Sequence, residues 1–399
     1  MVTEPDRENI MSTSALHPKD PAPNLRAFLE LAFRPLYLAG SAWALIAIAV
    51  WIYIPQVLAG PLQGIAWHAH EMLWGFVATI AVAFLMTAGS NWTGINPMKN
   101  YTLAAACILW LVARMGFLIG GNDLFWIAMA AELGFFLLAA AAMMRAVVLA
   151  RNARNYAVPL LLLALGGADA LYLLAARGGD YALLMQRFNA GLLVMALIAL
   201  LISRRVIPFF AMRAVAGLKI PKHTRSGQLQ LVACAAGAVS ILAGLQIATA
   251  IALGFAGIVS LVQVVTWKPY AVRNHPLLWI LYLGYTGLGI GLLITACGAA
   301  GVPIPPALPV HVIAIAGFSV LIIGMLTRTS LGHLGRPLAV DRSMLMSYGL
   351  VLAAVTLRLA ALAPSAFSPQ ALQLSAAAWI AAFALFLWRF APMMVRPRL

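Results

Sequence analysis

Charge is what this 399-residue sequence has least of. Only 9% of its residues are Asp, Glu, Lys or Arg, where a soluble domain carries about a quarter. Acidic residues are the scarcer sign, 11 against 26 Lys and Arg. There are three cysteines, Cys107, Cys234 and Cys297, far apart and each inside an apolar segment. No C-x-x-C or C-x-x-C-H is formed, which argues against an iron–sulfur cluster, a zinc ribbon and covalently attached haem. A Gly-rich phosphate loop and a Ser/His/Asp triad are missing too. Glu71 follows His70, but no second histidine stands at the spacing of a zinc-protease motif. Met72, Met86, Met325 and Met344 are soft donors, yet no M-x-x-M array exists to make a Cu(I) site of them. No Lys/Arg run of nucleic-acid type occurs. The net charge of +15 therefore implies no nucleic-acid partner and is assigned to cytoplasmic loops.

What is abundant is apolar sequence, 63% of the chain. A spanning helix needs about 20 mostly apolar residues, and no ten-residue alternation of an outer-membrane barrel appears. The expected fold is all-α: a polytopic membrane protein, a bundle of about twelve transmembrane helices with lipid as its surroundings. The spans are predicted near 36–54, 67–89, 101–120, 124–146, 156–176, 188–203, 228–247, 250–267, 276–297, 310–327, 343–362 and 371–392. They form one domain over 35–392, between a cytosolic N-terminal tail, 1–34, and a short cytosolic C-terminal tail, 393–399. The first tail lacks the basic-then-apolar layout of a signal peptide. The longest internal loop is predicted over 204–227, with Val206-Ile207-Pro208-Phe209-Phe210 lying along the inner leaflet.

Orientation follows from the positive-inside rule. With both termini cytoplasmic, 21 Lys and Arg fall inside and only Arg177 and Arg187 outside; Arg114, Arg358 and Arg389 lie within spans. No internal repeat is evident, so the usual pointer to an inverted-repeat transporter is missing.

Against this scarcity of polar groups, Trp67-His68-Ala69-His70-Glu71-Met72-Leu73-Trp74-Gly75 stands out. It brings two imidazoles, a carboxylate and two indoles to the outer turns of the second span, as candidate metal or haem ligands. At about 1.5 Å rise per residue, His311 opens the tenth span at the same level. Glu132 lies ~12 Å below the outer end of the fourth span. Asp169 and Arg114 fall in the outer halves of spans five and three, and Arg187 flanks the start of span six. Ionisable groups at membrane depth are costly and face the interior with a partner. Residues at i and i+2 point about 200° apart on a helix. His68 and His70 therefore serve different environments if the span is helical from its start. His70 and Trp74, at i and i+4, let an indole cover what the imidazole binds, with Glu71 as acceptor for the far ring nitrogen. The bland alternative is that each histidine is an ordinary interfacial residue. His333, beyond the inner end of span ten, belongs to a glycine-bearing loop or to a polar site on the cytosolic side.

The set Phe33-Arg34-Pro35, Trp67-His68-Ala69-His70-Glu71-Met72, Asn91-Trp92-Thr93-Gly94, Arg205-Val206-Ile207-Pro208-Phe209-Phe210 and Arg328-Thr329-Ser330-Leu331-Gly332-His333-Leu334-Gly335-Arg336 resembles the NnrS family. That family comprises twelve-span bacterial inner-membrane proteins that carry haem and copper and act in the nitric oxide response. The resemblance implies His68, His70, His311 and His333 as metal residues. Non-covalent b-type haem and copper become the expected cofactors. Nitric oxide or a related small molecule is the expected ligand, with an electron donor unnamed. The sequence departs from the family where Leu173 and Tyr282 stand in place of histidines, which puts one metal centre in doubt.

Three readings result. The first is a protein that binds or reduces nitric oxide at an intramembrane metal. His68, His70, Trp74, Arg114 and Arg187 surround the cofactor, and Glu71, Glu132 and Asp169 supply protons if reduction occurs. The second is a twelve-helix proton-coupled transporter without metal. The third is a protective or sensing protein without turnover. A haem–copper oxidase subunit is rejected, because no adjacent His-His pair or H-x-x-x-Y motif is present.

Overall fold

The structure, a computed structural model, describes residues 22–398. The predicted tail over 1–34 therefore lies mostly outside the described residues. Every regular element among them is helical. In chain order the bundle is built of α1 (Phe33–Tyr53), α2 (Gly64–Thr93), α3 (Asn100–Ile119), α4 (Asn122–Leu149), α5 (Ala157–Gly178) and α6 (Tyr181–Ala214). It continues with α7 (Thr224–Leu242), α8 (Gln246–Thr266), α9 (Pro276–Ala299), α10 (Ala307–His333), α11 (Arg342–Ala360) and α12 (Ser368–Met394). Helices suit lipid because every backbone N–H and C=O is satisfied within its own segment.

Eleven of the twelve are long and apolar enough to cross a membrane. The exception is α7, whose first turns carry Arg225, Gln228 and Gln230. It packs between α6 and α8 all the same. Gln230 is fully buried and donates to Ser260 Oγ at 2.8 Å and to the Tyr285 hydroxyl at 3.2 Å. A polar residue is tolerated there because neighbouring helices take up its donors.

Consecutive helices pack side by side, and α12 closes the ring on α1. Arg34 joins the two chain ends by donating to the carbonyls of Met394, at 2.9 Å, and Arg396. It is buried in α1, so the helix begins two residues before the predicted domain start at 35. α2 is the central pillar, 83% buried over its apolar window against 28% for α11.

Two predictions from sequence need correction. The loop predicted over 204–227 is largely helix: α6 runs unbroken for 34 residues, through Arg204, Arg205 and Pro208, to Ala214. Charge and proline made this stretch read as a loop. In fact proline removes a single helix bond, and Arg205 finds an acceptor in Asn155, 2.8 Å away. The second change is inside the spans. α2 and α10 each contain eight residues of π-helix, Glu71–Ala78 and Val312–Ser319. π-helix is rare and gathers at functional sites. Here each segment starts immediately after a histidine, His70 or His311. At the ends of these segments, Thr79 donates to the Trp74 carbonyl at 3.3 Å and Ser319 to the Ala314 carbonyl at 2.8 Å. Hydroxyls thus occupy carbonyls that the widened turn leaves under-used.

Outside the spans, Asp341 caps α11, accepting from the backbone N–H of Met344 at 3.0 Å and from Ser343 and Arg389. Partial burial by itself raises its pKa. The hydrogen bonds from Ser343 and Arg389 outweigh that and hold the carboxyl below the usual aspartate range. A lowered folded pKa stabilises the fold above the unfolded value and loses that contribution as pH falls through the folded one. Asp341→Ala is expected to cost about 1 kcal/mol at neutral pH through the lost cap. The gap to wild type should narrow on acidification, as read from thermal melts in detergent between neutral and acidic pH.

Candidate metal centre

Five ionisable side chains from four helices meet inside the bundle: His70 and Glu71 of α2, Arg114 of α3, Glu132 of α4 and Asp169 of α5. All are buried. Arg114 is the hub. Its Nη1 donates to Glu71 Oε2 at 2.5 Å, and its Nη2 pairs with Glu132 Oε1. The Trp43 indole of α1 donates to the same Glu71 oxygen. Gly75, one π turn beyond Glu71, is what leaves room. A Cβ there would sit 2.5 Å from Arg114 Nη1 and 2.7 Å from Glu71 Oε2.

His70 faces this group with both ring nitrogens. Nδ1 lies 2.9 Å from Glu71 Oε1; Nε2 lies 3.0 Å from Asp169 Oδ1 and 3.3 Å from Glu132 Oε2. One atom from each of His70, Glu132 and Asp169 lies within 4.8 Å of the others, a spacing that can hold a metal ion. Glu71 is placed to accept a proton from Nδ1, which leaves the Nε2 lone pair for the metal. Asp169 Oδ2 accepts no hydrogen bond from the protein, and Glu132 Oε2 has only His70 within reach. Buried acceptors left in this way cost free energy. Three carboxylates also face one permanent cation. With neutral imidazole the group carries a surplus of negative charge that a cation would offset.

Aromatic rings enclose the group. Phe117 lies edge-on to the His70 ring at 4.8 Å between centroids, with Trp74 at 5.4 Å and Tyr172 at 5.9 Å. The Trp74 indole donates to the Leu165 carbonyl at 3.1 Å. The Tyr172 hydroxyl donates to the Ala66 carbonyl at 2.8 Å. Each amphipathic ring thus anchors its polar end and turns its apolar body to the site.

His68 turns the other way. Its ring stacks on Trp51 of α1, with centroids 5.1 Å apart and planes 13° apart. It lies within electrostatic reach of His311 and of Arg358 on α11. The His68 Nδ1 is buried without a hydrogen-bond partner. His311 Nδ1 lies 2.7 Å from the Ala307 carbonyl. That contact makes Nδ1 the donor and leaves Nε2 as a free lone pair. The two imidazoles, two residues apart in the sequence, are therefore divided between two faces of α2, and the π segments that follow His70 and His311 pack against each other.

Of the remaining candidates, Trp74 covers His70, Arg114 is the ion-pair hub, and Arg187 on α6 is half-buried outside the ion-pair network. His333 ends α10 and packs on Phe33, with ring centroids 5.5 Å apart, at the opposite end of the bundle from His70. At the two departures noted in the sequence, Leu173 is buried and apolar, and the Tyr282 hydroxyl donates to the Trp267 carbonyl at 3.0 Å. Sequence reasoning missed Trp43 and Phe117, and it quoted Gly75 without a role. A tryptophan inside a span needs an acceptor for its N–H, and that signal was available for Trp43.

Fold and site together define a multi-pass membrane protein with a buried candidate metal centre of imidazole and carboxylate. A family model described as NnrS protein matches residues 27–398, and the chain belongs to that family. A comparison with curated proteins finds no match.

Removing Arg114 would leave buried carboxylates without their cation, a loss of about 3–5 kcal/mol. Arg114→Leu should therefore lower the thermal unfolding midpoint in detergent sharply, and Gly75→Val should do so by displacing the same guanidinium. If Arg114→Leu melted with wild type, the carboxylates would not depend on the guanidinium.

Proposed function

We propose that this protein is a metalloprotein of the bacterial inner membrane, acting in the nitric oxide response, with a metal ion held by His70, Glu132 and Asp169. The observation that carries the reading is the enclosed trio of ligand atoms within 4.8 Å. Its donors are one nitrogen and carboxylate oxygens. Such a set suits Cu(II), Zn(II), iron or manganese and lacks the sulfur that Cu(I) prefers. A redox-active ion there would supply electron exchange and an open position for a small ligand.

The chain's own residues do the rest. Glu71 orients the His70 ring through Nδ1, and Arg114 holds the Glu71 and Glu132 side chains in place. Trp74, Phe117 and Tyr172 exclude water. Nitric oxide is small and neutral, so it can arrive through lipid and the packed bundle. Protons for a reduction would come from the carboxylates around His70, with electrons from a separate donor.

Haem does not fit against His70, because carboxylates of Glu132 and Asp169 stand directly before Nε2 and three aromatic side chains pack around the ring. His68 and His311 are better suited to a group that takes neutral imidazole, copper or haem iron, because a ring nitrogen of each is left without a protein partner or with its lone pair free.

Metal analysis and the optical spectrum of the purified protein test the reading. His70→Ala is expected to lower bound metal at least about tenfold, while His68→Ala should alter a separate component. Metal content at background, unchanged by His70→Ala, would overturn it. Proton-driven solute uptake in such metal-free protein would select the transporter reading.

A further inference from the structure

A cavity of about 640 Å³ lies where α2, α6 and α10 end, with the α4–α5 connection as its floor. By helical rise it is about 30 Å along α2 from His70. Three of the sequence motifs that stood apart in the chain converge on it, through Trp92, Arg205 to Phe210, and Arg328 to His333. The metal reading uses none of this.

Its chemistry is one-sided. Arg154, Arg205 and Arg328 line it, and no carboxylate does. None of the three is in an ion pair among the described residues. Like charges gathered beside apolar surface repel and are poorly solvated, so the arrangement is costly unless an anion enters. Two of the arginines are held ready. Arg205 donates to Asn155 Oδ1 at 2.8 Å; Asn155 donates to Asn152 Oδ1 at 3.2 Å, and Asn152 to the Trp92 carbonyl at 2.8 Å. Arg328 is only 8% exposed, and its buried Nε has no acceptor. Its guanidinium carbon lies 3.9 Å from the centroid of the Phe210 ring. Stacking fixes the plane of a guanidinium and leaves its in-plane N–H groups for an oxyanion, which they can bind in pairs. Phe84, Ile202, Val206 and Phe209 supply apolar wall.

We infer that this cavity binds an amphipathic organic anion, its acidic group held by Arg205 and Arg328 and its apolar body laid against Phe209 and Phe210. The inference is independent of any metal at His70. Two sources share this chemistry: the phosphate of an anionic phospholipid, and the carboxylates of a flat ring compound.

The full-length protein in phosphatidylcholine nanodiscs distinguishes them. Metal-free protoporphyrin IX, followed by fluorescence anisotropy, probes the ring carboxylate. Phosphatidylglycerol, followed by native mass spectrometry, probes the lipid. At least one should bind, and Arg328→Gln and Arg205→Gln should each weaken it by about tenfold or more. Arg328→Lys should keep part of the affinity. The exposed Arg225, outside the cavity, serves as control: Arg225→Gln removes equal charge and should leave binding unchanged. Protoporphyrin binding lost in the cavity variants assigns a ring carboxylate; phosphatidylglycerol binding lost assigns a lipid. Failure of both probes, or equal weakening by Arg225→Gln, overturns the proposal. If Arg328→Gln does not fold, Arg205→Gln and Arg328→Lys decide it by the same readings.

Discussion

The ion pairs that Arg114 makes with Glu71 and Glu132 are the constraint on which this bundle depends. An isolated charge in a dry interior costs several kcal/mol, and this chain places five ionisable groups together where no water competes. They coexist only because each is neutralised or hydrogen-bonded by another. That requirement fixes the approach of α3, α4 and α5 to α2, and it explains why Gly75 must be small. It also explains the wall of Trp74, Phe117 and Tyr172. Water at this depth would weaken each ion pair, and aromatic bulk keeps it out while satisfying its own polar ends on nearby carbonyls.

α2 separates two kinds of environment. On one side His70 meets carboxylates and Arg114. On the other His68 meets Trp51, with His311 and Arg358 nearby. A π segment starts directly below His70 and another below His311, and the two are in contact. A widened turn redirects the side chains that follow it. The same device in α10 holds the start of that helix against α2.

α2 also joins two ends of opposite character. Near its start three carboxylates gather beside one arginine and a histidine; near its finish it faces three arginines and no carboxylate. The polarity does not come from composition, since basic residues outnumber acidic ones by more than two to one. It comes from placing three of the few carboxylates, Glu71, Glu132 and Asp169, in one buried group. A cation is the natural complement at one end and an anion at the other.

The all-helical membrane fold was legible in the sequence, because the transfer of apolar side chains to lipid is written residue by residue and needs no partner. Helix rise and the positions of the polar residues also foretold that His70, Glu71, Arg114, Glu132 and Asp169 lie at one level, and that His68 and His70 point apart. Other features were decided only by tertiary contact. Arg205 and Pro208 read as loop until Asn155 is seen to take the guanidinium. Gln230 weakens the span it belongs to until Ser260 and Tyr285 are beside it. The π turns cannot be read from apolar periodicity, since their extra residue is stabilised by packing and by hydroxyls at Thr79 and Ser319. Depth along a helix is a local sum, but which faces meet depends on how twelve helices share the burial of a few charges.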